Sequence, residues 1–242
     1  MDRIARSRSM SERVAAGRAT LLKHGWLAQT PSRFQEALFG VAIWKVAMRG
    51  AEFSRAGDTR SGLVGIASGT AEVSVEYGHP DARFVHLAHA GFWSGYRPLL
   101  GKGRNNSLVA RTDVLWMSVP KRSMERLLHE NPGYWRHITE LSDMVFEMTT
   151  HAMADLTRQN GRTRVAGVLL RMAGCRDRDP SPSDNTEVQA PQADIAALAV
   201  MSRGTLRTYL AELARLGLIQ VSYRTVRITN ARGLRNLLDG EE

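Results

Sequence analysis

The segment spanning residues 191–228 limits the fold of this chain more than any other. Pro191 opens a short stretch of small and apolar residues that suits a helix, and a brief break follows it. Ser202 then stands where a helix N-cap belongs, and leucine recurs at helical spacing from there to Leu216. Gly217 suits the C-terminal end of that helix because glycine adopts a positive φ at little steric cost. The segment therefore predicts two helices joined by a tight turn.

A β-hairpin is predicted after the second helix. Apolar and polar residues alternate over Ile219–Val221 and Val226–Ile228, with a polar turn between the two stretches. The residues expected to pack the helices together are Ile195, Leu198, Leu206, Leu210, Leu213 and Leu218. The whole pattern is that of a helix-turn-helix followed by a β-hairpin wing.

The front of the second helix carries side chains suited to DNA. A helix fits the major groove with its N-terminal residues at the base edges, where arginine can bond guanine O6 and N7 together. The helix N-terminus and the Ser202 hydroxyl can hold a phosphate. We expect contacts with double-stranded DNA from Ser202, Arg203, Thr205, Arg207 and Thr208, and from Arg224 and Arg227 in and after the wing turn. The alternative is an ordinary helical hairpin with solvated arginines.

The charge of the chain supports a polyanionic partner. The formal net charge is +9, and the basic residues are twenty-nine arginines and four lysines. A genomic preference for arginine codons would give the same composition, so location matters. Residues 188–238 hold seven arginines against two acidic residues, which places a basic cluster on the helix-turn-helix pattern.

Short strands separated by glycines are predicted between Ala51 and Val119. The candidates are Leu63–Ala67, Ala71–Val75, Phe84–Leu87, Leu108–Ala110 and Val114–Val119. Glycines at positions 57, 62, 69, 78, 91 and 95 fall between these stretches, as expected for tight corners. Many short strands joined by glycine turns are typical of a barrel or a jelly roll.

A long helix is predicted over residues 131–160, after a shorter helix at Ser123–Glu130. Its apolar residues follow a 3-4-3-4 spacing, which is a coiled-coil seam of about two heptads: Ile138, Leu141, Val145, Met148 and Ala152. A helix of roughly 28 residues would be about 42 Å long, more than one small domain needs to bury. We therefore expect a dimer seam, and the alternative is a helix packed on its own core. A further helix is predicted at Arg162–Met172.

The N-terminal residues 1–25 are expected to form a solvated extension, either an amphipathic helix or a partly disordered tail. They are rich in arginine, serine and alanine, which also fits a transit peptide, although Asp2 and Glu12 argue against that. The longest apolar run, Ala37–Trp44, has eight residues, far fewer than the roughly 18 that span a bilayer. We therefore expect no membrane partner and a cytoplasmic location, which the single cysteine also fits.

From about Trp26 onward the chain resembles the CRP/FNR family of bacterial transcription regulators. The stretches that carry the resemblance are Arg55–Val75, Ala90–Gly95, Ala110–Pro120 and Ile195–Ile219, the last with Ser202 and Arg203 at the family's Ser-Arg position. The resemblance implies an α+β chain: a cyclic-nucleotide-binding-like β jelly roll (26–130), a long dimerisation helix (131–160) and a winged helix-turn-helix (161–242). It also implies a homodimer on a pseudo-palindromic operator, with RNA polymerase as a further partner.

The sequence departs from the family at the effector pocket. Members that bind cyclic AMP hold the ribose with a glutamate, and Tyr96 followed by Arg97 stands there in this chain. Their phosphate clamp is Arg-Ser, and here the matching pair is Arg104 and Asn105. The lost ribose clamp argues against a cyclic nucleotide, so the effector is unknown or absent.

Other cofactors and enzymatic activity are not expected. An iron–sulfur cluster needs several cysteines, and a haem needs axial ligands, for which His79, His86 and His89 offer only histidines of the strand region. No metal site, catalytic triad, phosphate loop or dinucleotide fingerprint is recognisable. The competing hypothesis is a small-ligand sensor that acts by protein–protein contact and whose DNA-binding half is vestigial.

Two departures affect the helix-turn-helix itself. Gly204 replaces a glutamate that in many family members reads cytosine, which predicts a different half-site. Val200 replaces the usual glycine of the turn, so we expect a β-branched residue at a positive φ.

Overall fold

The computed structural model describes residues 9–76, 83–176 and 186–240. The chain divides into two compact units, residues 1–145 and 146–242. The helices of the first unit are α1 (Met10–Lys23), α2 (Ser32–Gly40), α3 (Lys121–Glu130) and the first part of α4 (Trp135–Leu156). No helix of the described residues is both long and apolar enough to cross a membrane.

Eight strands of the first unit form two antiparallel four-stranded sheets. They are β1 (Ile43–Ala47), β2 (Glu52–Ser54), β3 (Leu63–Ser68), β4 (Ala71–Val75), β5 (Arg83–Ala88), β6 (Trp93–Ser94), β7 (Ser107–Ala110) and β8 (Val114–Val119). The strand orders are β1-β8-β3-β6 and β2-β7-β4-β5, and side chains of both sheets share one buried core. The predicted β jelly roll and its five predicted strands are confirmed, and β1, β2 and β6 are additional.

The other face of the β1-β8-β3-β6 sheet packs against helices. Alternate residues of β3 and β8 point to this face, where Trp93 meets Trp26 edge-on at a centroid distance of 5.2 Å. Phe34 of α2 packs edge-on against the same Trp26 ring at 5.7 Å. The sheet therefore separates two apolar cores, and only one of them lies inside the jelly roll.

Helix α1 corrects the expectation of a solvated N-terminal extension. Ser9 and Glu12 form a reciprocal capping box at its start, and Leu21 near its end is fully buried. Gly17 allows the close approach, since a Cβ there would lie 2.9 Å from Leu115 Cδ2 and 3.1 Å from the Trp44 ring. The sequence did not indicate this packing because the N-terminal segment has a low overall hydrophobicity. A few small and apolar positions are enough to pack the helix. The three boundaries between the four predicted segments of the chain stay predictions.

The long helix is shorter than predicted, and its predicted seam is partly buried within the chain. Pro132–Tyr134 is a 3-10 turn, and α4 begins at Trp135. Ile138 and Leu141 lie in the helix-facing core of the first unit, so they are closed to a partner chain. For these two residues the alternative of packing on the chain's own core is correct.

The second unit contains the predicted helix-turn-helix and wing. Its elements are the end of α4, then α5 (Gly161–Met172), β9 (Glu187–Gln189), α6 (Gln192–Leu198), α7 (Arg203–Arg215), β10 (Ile219–Ser222), β11 (Thr225–Ile228) and α8 (Ala231–Asp239). The hairpin gains β9 as a third strand, in the order β10-β11-β9. The leucines of α7 at 206, 210 and 213 are buried, as the helical spacing predicted.

A buried carboxylate organises the start of this unit. Asp155, near the end of α4, is 1% exposed and accepts a hydrogen bond from Nη1 of Arg171 on α5. Arg176 Nη2 lies 3.4 Å from the other carboxylate oxygen. Arg158 Nε lies 3.7 Å from that same oxygen. Three arginines thus compensate one buried charge, which is the condition under which a buried ion pair is tolerated.

Candidate nucleic-acid interface

The N-terminal end of α7 is closed by its predicted cap. The Ser202 hydroxyl accepts a hydrogen bond from the Thr205 backbone N–H at 3.1 Å, and its Oγ lies 2.9 Å from Thr205 Oγ1. Ser202 has extended backbone angles, as an N-cap residue should. Two of the predicted contact residues therefore fix the helix end, and the remaining backbone N–H groups of the first turn face outward as anion donors.

The same helix end is open to solvent. Ser202, Arg203, Gly204 and Thr205 are exposed, and so are Arg207 and Thr208 in the next turn. Thr208 Oγ1 donates to the Gly204 carbonyl at 3.4 Å, which leaves its methyl group and its oxygen on the outer surface. The structure therefore brings together five predicted contact residues at one exposed helix end, with Arg203 and Arg207 on a shared face.

The two arginines of this face carry uncompensated charge. In the described ranges, no carboxylate forms an ion pair with Arg203 or Arg207. They lie one turn apart, at positions i and i+4. Exposed guanidinium groups without an acidic partner are free to bond phosphates or guanine edges.

The wing differs from the prediction at Arg227. Its guanidinium bonds the Glu187 carboxylate of β9, with Nε to Oε1 at 3.0 Å, so part of its charge is already compensated. Arg224 is exposed in the two-residue turn and has φ +59°. Beside it, Tyr223 is almost fully exposed, and the sequence reasoning did not single it out. Its position at the tip of a predicted hairpin was the available signal.

The expectation for Val200 is confirmed. This residue, in the turn between α6 and α7, has φ +51°. Its side chain is exposed, so no packing contact compensates the steric cost of a β-branched residue in this region. The turn therefore has the expected positive φ with a valine in place of a glycine.

The predicted effector site of the first unit stays a prediction, and each of its residues has distinct surroundings. Tyr96 packs on the helix-facing core, and Arg97 Nε donates to the Gly103 carbonyl at 3.0 Å. Arg104 is buried, and its guanidinium bonds Ser61 Oγ at 2.6 Å and the Gly62 carbonyl and lies against Gly95. Asn105 is half-buried in the loop before β7. Arg104 also lines a cavity of the jelly roll.

The histidines of the strand region are held by packing. His86 of β5 contacts the Phe92 ring at 5.8 Å between centroids, and burial lowers the pKa of His89 from its usual value. His79 lies outside the described residues. Within those residues, no cluster of three or more histidine, cysteine or acidic side chains is arranged to hold a metal ion.

Comparison with models of known protein families gives a match within the second unit. Residues 163–237 match the family model of the Crp-like helix-turn-helix domain. The chain carries a Crp-like helix-turn-helix domain. No curated protein sequence matches the chain at a significant level. The Crp-like domain contains every residue of the predicted DNA-contact set.

Solved structures match most of the chain in fold. FixK2 from Bradyrhizobium japonicum is 17% identical, with a TM-score of 0.66 over 81% of this chain and 97% of that one. A CRP/FNR-family transcriptional regulator from Thermus thermophilus is 20% identical, with a TM-score of 0.55 over 83% and 100%. A proposed cAMP-binding regulatory protein from Silicibacter pomeroyi is 19% identical, with a TM-score of 0.62 over 94% and 99%. The fold ahead of the Crp-like domain is therefore that of CRP/FNR-type transcription regulators.

Proposed function

We propose that the protein is a homodimeric, sequence-specific DNA-binding transcription regulator of the CRP/FNR type. The observation that carries the proposal is the front of α7, where Arg203 and Arg207 are exposed and unpaired beside a capped helix N-terminus. This end enters the major groove, and the two arginines bond base edges there. The phosphate backbone is contacted by Ser202, Thr205, Thr208 and Arg224. Arg227 also contacts it when its guanidinium exchanges the Glu187 carboxylate for a phosphate.

The dimer forms through the exposed apolar face of α4. Phe146 is 69% exposed, Met153 is 65% exposed and Leu156 is 46% exposed. With Thr149 they follow a 3-4-3 spacing, which is the repeat of a coiled-coil seam. A second copy covers this face most simply, because the same residues then meet across a two-fold axis. Val145, Met148 and Ala152 of the predicted seam lie beside it, half-buried.

A symmetric pair of recognition helices reads a pseudo-palindromic operator. Its half-sites are expected about one DNA turn apart, roughly 10 base pairs centre to centre. The first unit acts as the sensor, and a signal acts by changing the populations of competent and incompetent arrangements. The regulator works in the cytoplasm and meets RNA polymerase at its promoters. It needs neither a haem nor an iron–sulfur cluster, and it catalyses no reaction.

Selection from a random DNA pool tests the proposal. The full-length purified chain is used, with and without cell extract, and the double variant Arg203→Ala/Arg207→Ala is the matched control. We expect the wild-type chain to enrich a two-fold symmetric site that the variant does not enrich. A wild-type chain that enriches no sequence under either condition would overturn the proposal and favour the ligand sensor with a vestigial DNA-binding half.

A further inference from the structure

A cavity of about 380 Å³ lies in the jelly roll of the first unit. Its lining includes Phe53 and Ser54 of β2, Trp116 of β8 and, from the loops, Asp58 and Arg104. Gly95 and Tyr96, at the ribose-binding position implied by the family resemblance, are not part of this lining. The volume falls in the range that small-molecule sites occupy. The cavity therefore shares Arg104 with the implied nucleotide clamp, and the Arg104 guanidinium also lies against Gly95.

Three buried polar atoms on the lining residues have no hydrogen-bond partner among the residues that the structure describes: Ser54 Oγ, Trp116 Nε1 and Arg104 Nη1. Their residues are 8%, 7% and 4% exposed, respectively. Buried polar groups without a partner are rare, because no hydrogen bond offsets the free energy that their desolvation costs. Indole and guanidinium nitrogens only donate hydrogen bonds, and a hydroxyl can also donate. The missing partner is therefore an acceptor.

Arg104 gives the cavity a buried positive charge. Burial lowers its pKa to about 10, and the Asp58 carboxylate acts in the opposite direction, so the guanidinium stays charged at neutral pH. The Asp58 carboxylate already accepts backbone hydrogen bonds from Arg60 at 2.7 Å and Ser61 at 3.3 Å. A cation this deep, with one nitrogen unpaired, favours an anionic ligand.

The remaining lining adds one apolar wall and a basic mouth. The rings of Phe53 and Trp116 are 5.2 Å apart between centroids, and Lys45 Nζ lies 5.1 Å from the Trp116 ring centroid. Arg55 and Glu52 pair with each other at 2.8 Å, so their charges cancel. The lining thus carries three cations against two carboxylates, an excess of one positive charge.

We propose that this cavity binds a small organic carboxylate with an apolar body. The carboxylate accepts hydrogen bonds from Arg104 and Trp116, and the apolar body packs along Phe53. In the present conformation the three unpartnered atoms are shielded from solvent, so binding moves the Ser54, Trp116 and Arg104 side chains toward the ligand. Arg104 then exchanges hydrogen bonds to Ser61 and Gly62 for bonds to the carboxylate. The site belongs to the first unit alone, and its binding step does not depend on the proposed DNA-binding function.

Benzoate is the probe, because it combines one carboxylate with one ring. The full-length chain is labelled with ¹⁵N, and the indole N–H signals of its five tryptophans are followed as benzoate is added. Trp116→Phe identifies the Trp116 signal and removes its donor. Trp93→Phe is the matched control, because Trp93 Nε1 is also buried and unpartnered but belongs to the other core. Ser54→Ala and Arg104→Lys complete the set, and inorganic phosphate and cyclic AMP are titrated in parallel.

We expect a saturable shift of the Trp116 signal with benzoate, and binding that is roughly fivefold weaker in Trp116→Phe, as the loss of one hydrogen bond predicts. Trp93→Phe should bind benzoate as the wild type does. No saturable shift, equal affinity in Trp116→Phe, or tighter binding of phosphate or cyclic AMP at the same signal would each overturn the proposal. A chain that selects a DNA site but does not bind benzoate would overturn this inference and leave the proposed function intact.

Discussion

Asp155 and Gly167 are in direct contact, because the α5 backbone at Gly167 lies against the carboxylate at the end of α4. A Cβ on Gly167 would stand 2.6 Å from Asp155 Oδ1, closer than real Cβ contacts come. The absent side chain lets the carboxylate reach Arg171 and Arg176 while staying buried. The close approach of a charged group requires glycine here. The backbone conformation does not require it, because the φ of Gly167 is not in the positive range.

Gly167→Ala should therefore destabilise the second unit despite the higher helix propensity of alanine. Overpacking a buried position typically costs about 1–3 kcal/mol, more than the propensity gain of about 1 kcal/mol. Urea unfolding measures the free energy of unfolding. Gly204→Ala is the control, because the nearest atom to a Cβ there is Ser202 Oγ at 3.7 Å. That variant should be at least as stable as the wild type, and equal stability of both variants would contradict the contact.

Asp155→Asn should be more damaging than the loss of an exposed ion pair. Removing one charge of a buried pair costs about 3–5 kcal/mol, because Arg171 would keep an uncompensated buried charge. Glu187→Gln is the matched comparison, since Glu187 and its partner Arg227 are 28% and 57% exposed, against 1% for Asp155. We expect that change to lower the free energy of unfolding by less than about 1 kcal/mol. Equal losses in urea unfolding would show that the Asp155 network is not a buried ion cluster.

Val200→Gly should stabilise the helix-turn-helix. A non-glycine residue at φ +51° costs about 1–3 kcal/mol, and glycine would remove this cost. Part of the gain is lost again, because glycine gives up more backbone entropy on folding than other residues do. We expect a net gain of about 1 kcal/mol in urea unfolding. Leu216→Gly is the control, because that exposed residue has φ −76°. It should lose stability, and a loss in Val200→Gly as well would mean that the turn is not strained.

Local signals in the sequence explain why the helix-turn-helix could be predicted. The Ser202 cap, the positive φ of Val200 and the end of α7 before Gly217 each depend on a few neighbouring residues. The dimer seam of α4 was harder to predict. Apolar residues at 3-4 spacing form two stripes one residue apart, one that begins at Ile138 and one that contains Phe146. Which stripe is buried depends on long-range contacts, and these bury Ile138 and Leu141 in the first unit.

The cavity and the packing of the N-terminal helix could not be predicted for a related reason. Arg104 was identified from the order of residues along the chain, but its hydrogen bonds to Ser61 and Gly62 join segments more than 40 positions apart. Gly17 and Leu115, which pack together, are still farther apart in sequence. Neither arrangement leaves a periodic pattern, so only the tertiary structure identifies it.

Phe146→Glu should dissociate the proposed dimer. A charge in the centre of an apolar seam has no partner, and loss of such an anchor typically costs about 2 kcal/mol or more of association free energy. Light scattering of the purified chain measures the mass in solution. Glu147→Gln is the control, because residue 147 is exposed on α4 but lies off the seam. Dimers of unchanged stability in Phe146→Glu would place the interface elsewhere.

Arg203→Ala and Arg207→Ala should each weaken binding to the selected operator by about 1–3 kcal/mol, since each removes a bidentate contact to a base. Fluorescence anisotropy with the operator and with a scrambled duplex separates specific from non-specific affinity. Arg215→Ala, an exposed arginine in the last turn of the same helix, is the control and should change operator affinity less. The Arg203 and Arg207 variants should bind the scrambled duplex nearly as the wild type does, because base contacts specify while phosphate contacts position. If an alanine variant instead lost affinity for both duplexes equally and flattened the salt dependence, that arginine would be a phosphate contact and would not read the sequence.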